Sequence, residues 1–236
     1  MKIITEKNIS PFSKKEFNKG FKQIASGYDF EYQTTLEEFK VFHDTDNDLL
    51  FLKTIPQVQE MSKIYPSNYY ANSDKSNSFV SFFRDFIELR KFKYLFKLID
   101  TKDKIKILDL GSGDGRLLML LKKYIKCECY GIEFSTEGVV KSKKMDIKVI
   151  EGNVENIEMK EWNNKFHIII MHQLIEHTRF PDELLKKCNA WLVDQGIISI
   201  ETPQFNGLDY MLFKNRNWGG YHFPRHFFIF NQFSLQ

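Results

Sequence analysis

Between residues 104 and 201, short apolar runs alternate with segments whose apolar positions recur every three or four residues. The runs predict strands at 105–110, 128–133, 147–150, 166–171 and 196–201, and the periodic segments predict helices at 115–124, 136–144 and 181–192. Short apolar strands separated by helices imply an α/β domain, with a mostly parallel sheet carrying helices on both faces. Upstream, residues 36–43 and 49–55 read as two strands around Asp44-Thr45-Asp46-Asn47-Asp48, a turn rich in residues that bond their own backbone. Residues 66–78 read as a loop or linker. Ser78 is placed to cap a helix over 79–99, in which Phe79, Phe82, Phe83, Phe86 and Ile87, then Leu95, Phe96 and Ile99, keep helical spacing. The expected organisation is a small N-terminal hairpin and helical segment (1–77) followed by the α/β domain (78–236).

Composition narrows the classes. Charged residues are 28% of the 236, apolar residues 42%, and the net charge is +3. The lysines are scattered, so no nucleic-acid partner is expected. The 23 phenylalanines and 10 tyrosines read as an aromatic-heavy core rather than a binding surface. Cys127-Glu-Cys129 is one residue short of a CxxC pair and lies in a predicted strand. With Cys188 it reads as reduced thiol in a cytoplasmic protein. No signal peptide and no membrane span is expected. Asp44, Asp46 and Asp48 imitate a calcium loop, but Leu49 and Ile55 stand where glycine and a bidentate glutamate are required.

The most informative stretch is Ile107-Leu-Asp-Leu-Gly-Ser-Gly-Asp-Gly115, a buried strand running into a glycine turn and then a helix. Glycine tolerates positive φ and lets a ligand approach the backbone, and the following helix is expected to aim free N–H groups at it. The spacing Gly111-x-Gly113-x-Gly115 departs from the dinucleotide pattern GxGxxG. Asp109 at the strand end would repel a pyrophosphate. It suits a ligand without phosphate and with a positive charge, such as S-adenosylmethionine.

Asp109-Leu-Gly-Ser-Gly-Asp-Gly115 resembles motif I of the class I S-adenosylmethionine-dependent methyltransferases. Gly131-Ile-Glu133, Gly152-Asn-Val-Glu155, Phe166–His177 and Gly196–Pro203 resemble that family's later motifs, in order. Trp218–Phe230 resembles a loop of a subgroup related to ubiquinone O-methyltransferases, members of which methylate small molecules, sugars or surface glycans. The resemblance covers residues 60–236 and implies a Rossmann-like fold. It also implies cofactor contacts from Asp109, Gly111, Ser112, Gly113, Gly115, Glu133, Phe134, Asn153, Val154, Met171 and His172, with Glu133 on the ribose hydroxyls and Asn153 at the adenine edge.

Methyl transfer to a hydroxyl needs positioning and a base. The candidate bases are His226 first, then His172 and His222, with His177 and Tyr221 also placed near the motifs. Arg225 is read as holding its loop through backbone carbonyls rather than as binding an acidic acceptor. Asn-Pro-Pro-Tyr is absent after the fourth strand, and no Pro-Cys nucleophile, carboxylate cluster or three-cysteine cluster appears. DNA amine, cytosine C5, magnesium-dependent and radical chemistries are therefore not expected, and neither is a zinc ribbon or any other metal. The family's sixth and seventh strands have no counterpart before residue 236. Residues 197–200 are accordingly expected to form an exposed apolar edge that favours self-association. Two other readings remain: an inactive, truncated methyltransferase-like binding or assembly module, and a nicotinamide-dependent oxidoreductase.

Overall fold

A computed structural model describes residues 2–12, 21–66, 78–214 and 218–236. In chain order the strands are β1 (Thr5–Lys7), β2 (Lys22–Gly27), β3 (Phe39–Asp44), β4 (Leu49–Leu52), β5 (Thr54–Pro56), β6 (Ile105–Leu110), β7 (Cys127–Glu133), β8 (Lys148–Glu151), β9 (Phe166–His172), β10 (Leu192–Glu201) and β11 (Phe228–Ile229). The helices are α1 (Met61–Ile64), α2 (Ser78–Lys97), α3 (Arg116–Tyr124), α4 (Thr136–Lys144), α5 (Pro181–Trp191) and α6 (Leu208–Phe213). Residues 67–77 of the expected linker lie outside the described residues, as does the side chain of Ser78, and α2 begins at Ser78 itself.

Two compact units share the chain. The first takes in the described residues of 1–69 with 173–182 and 202–236, and the second those of 70–172 with 183–201.

The second unit is the Rossmann-like α/β fold. Its five strands are parallel in the order β10-β9-β6-β7-β8. Chain order runs outward from β6 in one direction through β7 and β8, and then in the other through β9 and β10. β6 therefore marks the switch point where such sheets open a crevice at their carboxyl ends. Ile107, Ile168, Ile170, Leu118, Leu121 and Val139 are buried in one cluster beside the sheet. β10 is the outermost strand, paired with β9, and Ile197, Ile198 and Ile200 are only half-buried.

α2 differs from its expected packing. Phe92 is fully buried, with Leu95, Phe96 and Ile99 against the same cluster, but Phe79 is 77% and Phe82 70% exposed. Helical spacing marks an apolar face; it does not specify that a neighbour covers it.

In the first unit, β3 and β4 form the expected hairpin, with Asp44 paired to Leu49. Asp44 Oδ1 accepts from the backbone N–H groups of Asp46 and Asn47, each at 3.2 Å, and closes the turn. The hairpin belongs to an antiparallel sheet in the order β11-β4-β3-β2, so residues 228–229 complete a sheet begun near the amino terminus. The fully buried Arg225 fixes this arrangement. Its Nη1 and Nη2 donate to Asp29 Oδ1 and Oδ2, both at 3.0 Å. Its Nε donates to the Ile64 carbonyl at 2.8 Å, and Nη1 also donates to the Phe223 carbonyl. The loop-holding reading of Arg225 fits these bonds; Asp29 is an addition.

Burial alone would raise the Asp29 pKa. The bonds from Arg225 and from Thr34 and Tyr32 outweigh it and hold the group at about 2. Its native pKa is lowered, so the stability it contributes is present above its ordinary value near 4 and fades as pH falls towards 2. Asp29→Asn removes the counter-charge of a buried guanidinium, and we expect a loss of about 3 kcal/mol in urea unfolding at neutral pH. The variant's stability should also fall less steeply than the parent's between pH 4 and 2.

Candidate functional site

In the second unit, the glycine turn between β6 and α3 takes left-handed φ values of 73° at Gly111, 57° at Gly113 and 79° at Gly115. At Gly115 both conformation and space demand glycine, because a Cβ there would lie 2.6 Å from Ser142 Oγ. At Gly113 a Cβ would meet nothing within 4 Å, so this bend faces open space.

Most of the turn's own N–H groups are directed inward. Gly111 N and Ser112 N donate to the Ile132 carbonyl at 2.8 and 3.1 Å, and Gly113 N donates to Glu133 Oε2 at 2.7 Å. Gly115 N donates to the Ser112 carbonyl, and Arg116 N to Asp114 Oδ1. The Ile132 carbonyl and a neighbouring acid have thus taken the N–H groups of Gly111, Ser112 and Gly113, which a phosphate in this turn would otherwise use.

Glu133 ends β7 and is buried. Besides Gly113 N, it accepts from Ser135 N through Oε1 at 2.7 Å. Its two oxygens thus clamp the β6–α3 turn to the β7–α4 turn, a structural duty that motif reading missed. Each oxygen retains a lone pair. Asp109 pairs across the sheet with Gly131 and Ile170, and its carboxyl makes no hydrogen bond among the described residues. Burial, then the charges of Glu133 and Glu88, push its pKa up to about 8 against the pull of Arg116. Two buried carboxyls thus stand beside an open bend, and burial with mutual repulsion outweighs the nearby Arg116.

The other expected contacts fall as follows. Ser112 turns its hydroxyl inward against Gly131. Phe134 is 58% exposed just past Glu133. Asn153 Oδ1 accepts from Glu155 N at 2.9 Å, the bond of a turn residue, and Val154 is buried. Met171 is fully buried in β9. At the end of that strand His172 Nε2 lies 3.1 Å from Ser199 Oγ and Nδ1 3.5 Å from Glu201 Oε2, so both nitrogens are engaged on β10.

In the first unit, a cavity of about 490 Å³ is lined by His177, His222, His226, Trp218, Asp209 and Gln173 among others. Trp218 Nε1 donates to Asp209 Oδ2 at 2.7 Å and fixes one wall. Three imidazoles converge: the ring centres of His177 and His226 are 4.7 Å apart, and those of His222 and His226 4.9 Å. Burial lowers all three pKa values, to about 4 at His222 with help from Arg225 and to about 3 at His226 with help from His222. His177 is also held well below the usual range. The rings are therefore neutral at pH 7. The 2.8 Å contact of His222 Nδ1 with Glu31 Oε2 is a hydrogen bond from a neutral ring, not an ion pair. His222 takes a left-handed φ of 36°, a conformation rare outside glycine. Tyr221 is buried, and its hydroxyl donates to the Lys214 carbonyl at 2.5 Å. Glu176, also overlooked in the sequence, is fully buried; among the described residues neither carboxyl oxygen meets hydrogen-bond geometry, although the Thr202 hydroxyl and its own backbone N–H lie close enough to favour the ionised form, and burial pushes its pKa up to about 7.

The Asp109 carboxyl binds its proton more tightly in the native than in the unfolded chain. Its contribution is therefore fully present below pH 4 and is lost as pH rises through about 8. Denaturation of ligand-free protein across that window should show Asp109→Asn losing less stability with rising pH than the parent. Identical slopes would place the carboxyl in contact with solvent instead.

Residues 89–214 match the family model of methionine biosynthesis protein MetW. Over 108 residues the chain is 32% identical to (S)-coclaurine N-methyltransferase of Papaver somniferum, covering 42% of this chain and 30% of that protein. It is 27% identical over 145 residues to the ubiquinone biosynthesis O-methyltransferase of Rhodopseudomonas palustris, covering 59% and 51%. The chain thus spans about a third to a half of the length of these relatives. A solved structure of the plantazolicin methyltransferase BpumL with a triazolic desmethylPZN analog and SAH aligns at 23% identity and a TM-score of 0.48, covering 61% of this chain and 55% of that one. The MetW match takes in more than half of the 236 residues, and the chain belongs to that family, one of the class I S-adenosylmethionine-dependent methyltransferases.

Proposed function

We propose that the chain is an S-adenosylmethionine-dependent methyltransferase acting on a hydroxyl of a small molecule or glycan. One observation carries the reading: Gly111, Ser112 and Gly113 have spent their N–H groups internally, while beside the open bend at Gly113 lie two buried carboxyls, Glu133 and an Asp109 that a cation can induce to release its proton. That combination rejects a pyrophosphate and suits a cationic amino-acid end. It supports S-adenosylmethionine over a nicotinamide dinucleotide.

Asp109 would balance the ammonium group, and the spare lone pairs of Glu133 would accept from the ribose hydroxyls. Phe134, Asn153 and Val154 would flank the adenine, and the backbone at Gly111, Gly113 and Gly115 would admit the methionine part. Ser112, Met171 and His172 would shape the site from behind, since their side chains are turned inward or engaged. Bound there, the cofactor supplies a methyl group activated by sulfonium.

On the acceptor side we place His222 ahead of His226 as base. The Glu31 carboxylate holds the proton on Nδ1 of His222, which leaves Nε2 as the basic atom, and the ring lines the cavity. Trp218 walls that cavity and would help exclude water. The half-buried outer edge of β10 supports self-association as part of the same reading.

Calorimetric titration with S-adenosylhomocysteine, with NADH in parallel, tests the cofactor. We expect saturable binding of the first alone, at least tenfold weaker in Glu133→Gln, which keeps the side-chain shape but only one acceptor oxygen. Ammonium binding should ionise Asp109, so titrations at pH 7 in buffers of different ionisation enthalpy should report close to one proton released, and none from Asp109→Asn. Preferential binding of NADH would replace this reading with the oxidoreductase one. Binding without turnover across a screen of hydroxylated acceptors would favour the inactive module.

A further inference from the structure

S-adenosylmethionine ends in a zwitterion, with its ammonium and its carboxylate on one carbon. A site that draws the ammonium with acids therefore brings the carboxylate close to the same acids. Asp109 and Glu133 are such acids, and Glu88 adds negative charge that reaches Asp109. With no cation at hand, repulsion of the carboxylate would cancel much of the attraction for the ammonium. The ligand calls for a basic side chain beside Asp109.

Arg116 is the basic group whose charge reaches Asp109 and draws its pKa down. It is the first residue of α3, directly after the glycine turn, and its backbone N–H is fixed on Asp114 Oδ1 at 3.1 Å. Its guanidinium already carries a carboxylate: Nη1 pairs with Asp85 of α2. Glu88, on the next turn of α2, is held by Lys91 Nζ at 2.8 Å instead. The side chains of Arg116 and Asp85 are 30% and 34% exposed, so the pair is within reach of a ligand in solution. Ion pairs this open to water add little to stability, and exchanging one carboxylate for another costs little. A guanidinium presents its donors as a planar fork that matches the two oxygens of a carboxylate.

We propose that Arg116 binds the carboxylate of the cofactor's methionine part, and that Asp85 holds that place on the guanidinium until the ligand arrives. The inference rests on the cofactor reading above and deepens it: Asp109 takes the ammonium, Arg116 the carboxylate and Glu133 the ribose. The exchange replaces one carboxylate by another on the same cation, so no covalent bond changes and the guanidinium is never left without a counter-charge. It also makes the site selective for the amino-acid end. A compound that has the adenosine but no amino acid leaves the Arg116–Asp85 pair intact and gains nothing from it.

The test is calorimetric titration of the full chain with S-adenosylhomocysteine and, in parallel, with 5′-methylthioadenosine, which keeps the adenosine and the thioether but has no amino-acid end. In Arg116→Gln we expect S-adenosylhomocysteine to bind at least tenfold more weakly and 5′-methylthioadenosine to bind as it does to the parent. In Asp85→Asn we expect S-adenosylhomocysteine to bind about threefold more tightly, because the competing carboxylate is gone, with 5′-methylthioadenosine again unchanged. A pair that merely ties α2 to α3 behaves otherwise: loss of either partner weakens both ligands alike, and that result overturns the proposal. So does an unchanged affinity for S-adenosylhomocysteine in Arg116→Gln. Thermal melts establish that each variant unfolds cooperatively, and if Arg116→Gln does not fold, Asp85→Asn carries the test. A parent chain that binds neither compound removes the cofactor reading and this inference together. Parent binding that both variants leave intact removes this inference alone.

Discussion

The Glu133 carboxylate holds the candidate cofactor site together. It closes β7, is buried, and takes one backbone N–H from each of the two turns that leave β6 and β7. A buried carboxylate is costly unless hydrogen-bonded, and these two bonds offset much of that cost. The requirement runs outward through the local sequence. Gly113 bends towards Glu133, and Gly138 must lack a side chain because a Cβ there would lie 2.6 Å from the Gly113 carbonyl oxygen and 3.0 Å from Glu133 Cγ. The turn's shape and its charge thus have one origin.

The same bond determines which ligands the turn can receive. An N–H group that has donated to Glu133 or to the Ile132 carbonyl cannot also cradle a phosphate oxygen. Negative charge at Glu133 makes it costly to ionise Asp109, which burial already keeps neutral at pH 7. The ligand-free site is therefore a charged acid next to a protonated one. A cation arriving there gains the first attraction at once and the second after a proton leaves. This asymmetry separates two classes of nucleotide ligand that look alike in a one-line glycine motif.

Much of this was legible in the sequence because its causes are local. The strands and helices from residue 105 onward follow from apolar runs, helical spacing and glycine, and the observed bounds differ from the expected ones by a residue or so at most ends. β10 is the exception: it begins at Leu192, where the expected strand began at 196. What depends on distant partners was not legible. Asp29 and Arg225 are 196 residues apart, and nothing in either neighbourhood announces the pair. The exposed phenylalanines of α2 have the same spacing as a buried face would have. The internal use of the N–H groups of Gly111, Ser112 and Gly113 was not legible because their acceptors, the Ile132 carbonyl and Glu133, stand about twenty residues further along the chain. Glu176 was passed over because a lone acid beside a histidine carries no signal until its burial is known.

The histidine cavity shows why burial changes the roles that sequence assigns. A histidine in a loop suggests a base, since its ordinary pKa lies near neutrality. Here desolvation, mutual repulsion and the Arg225 guanidinium remove the proton from all three rings. A ring so hard to protonate takes up a substrate proton only briefly, in a concerted step, and only if a partner fixes its tautomer, as Glu31 does for His222. The three histidines divide by their partners: His222 faces a carboxylate that can share the charge of a transient imidazolium, whereas His226 faces a carbonyl oxygen that only orients it and His177 faces a carbonyl oxygen and the Tyr65 hydroxyl. A carboxylate behind the ring favours proton transfer, because it can share the positive charge that the ring acquires in the step, as a carbonyl oxygen cannot.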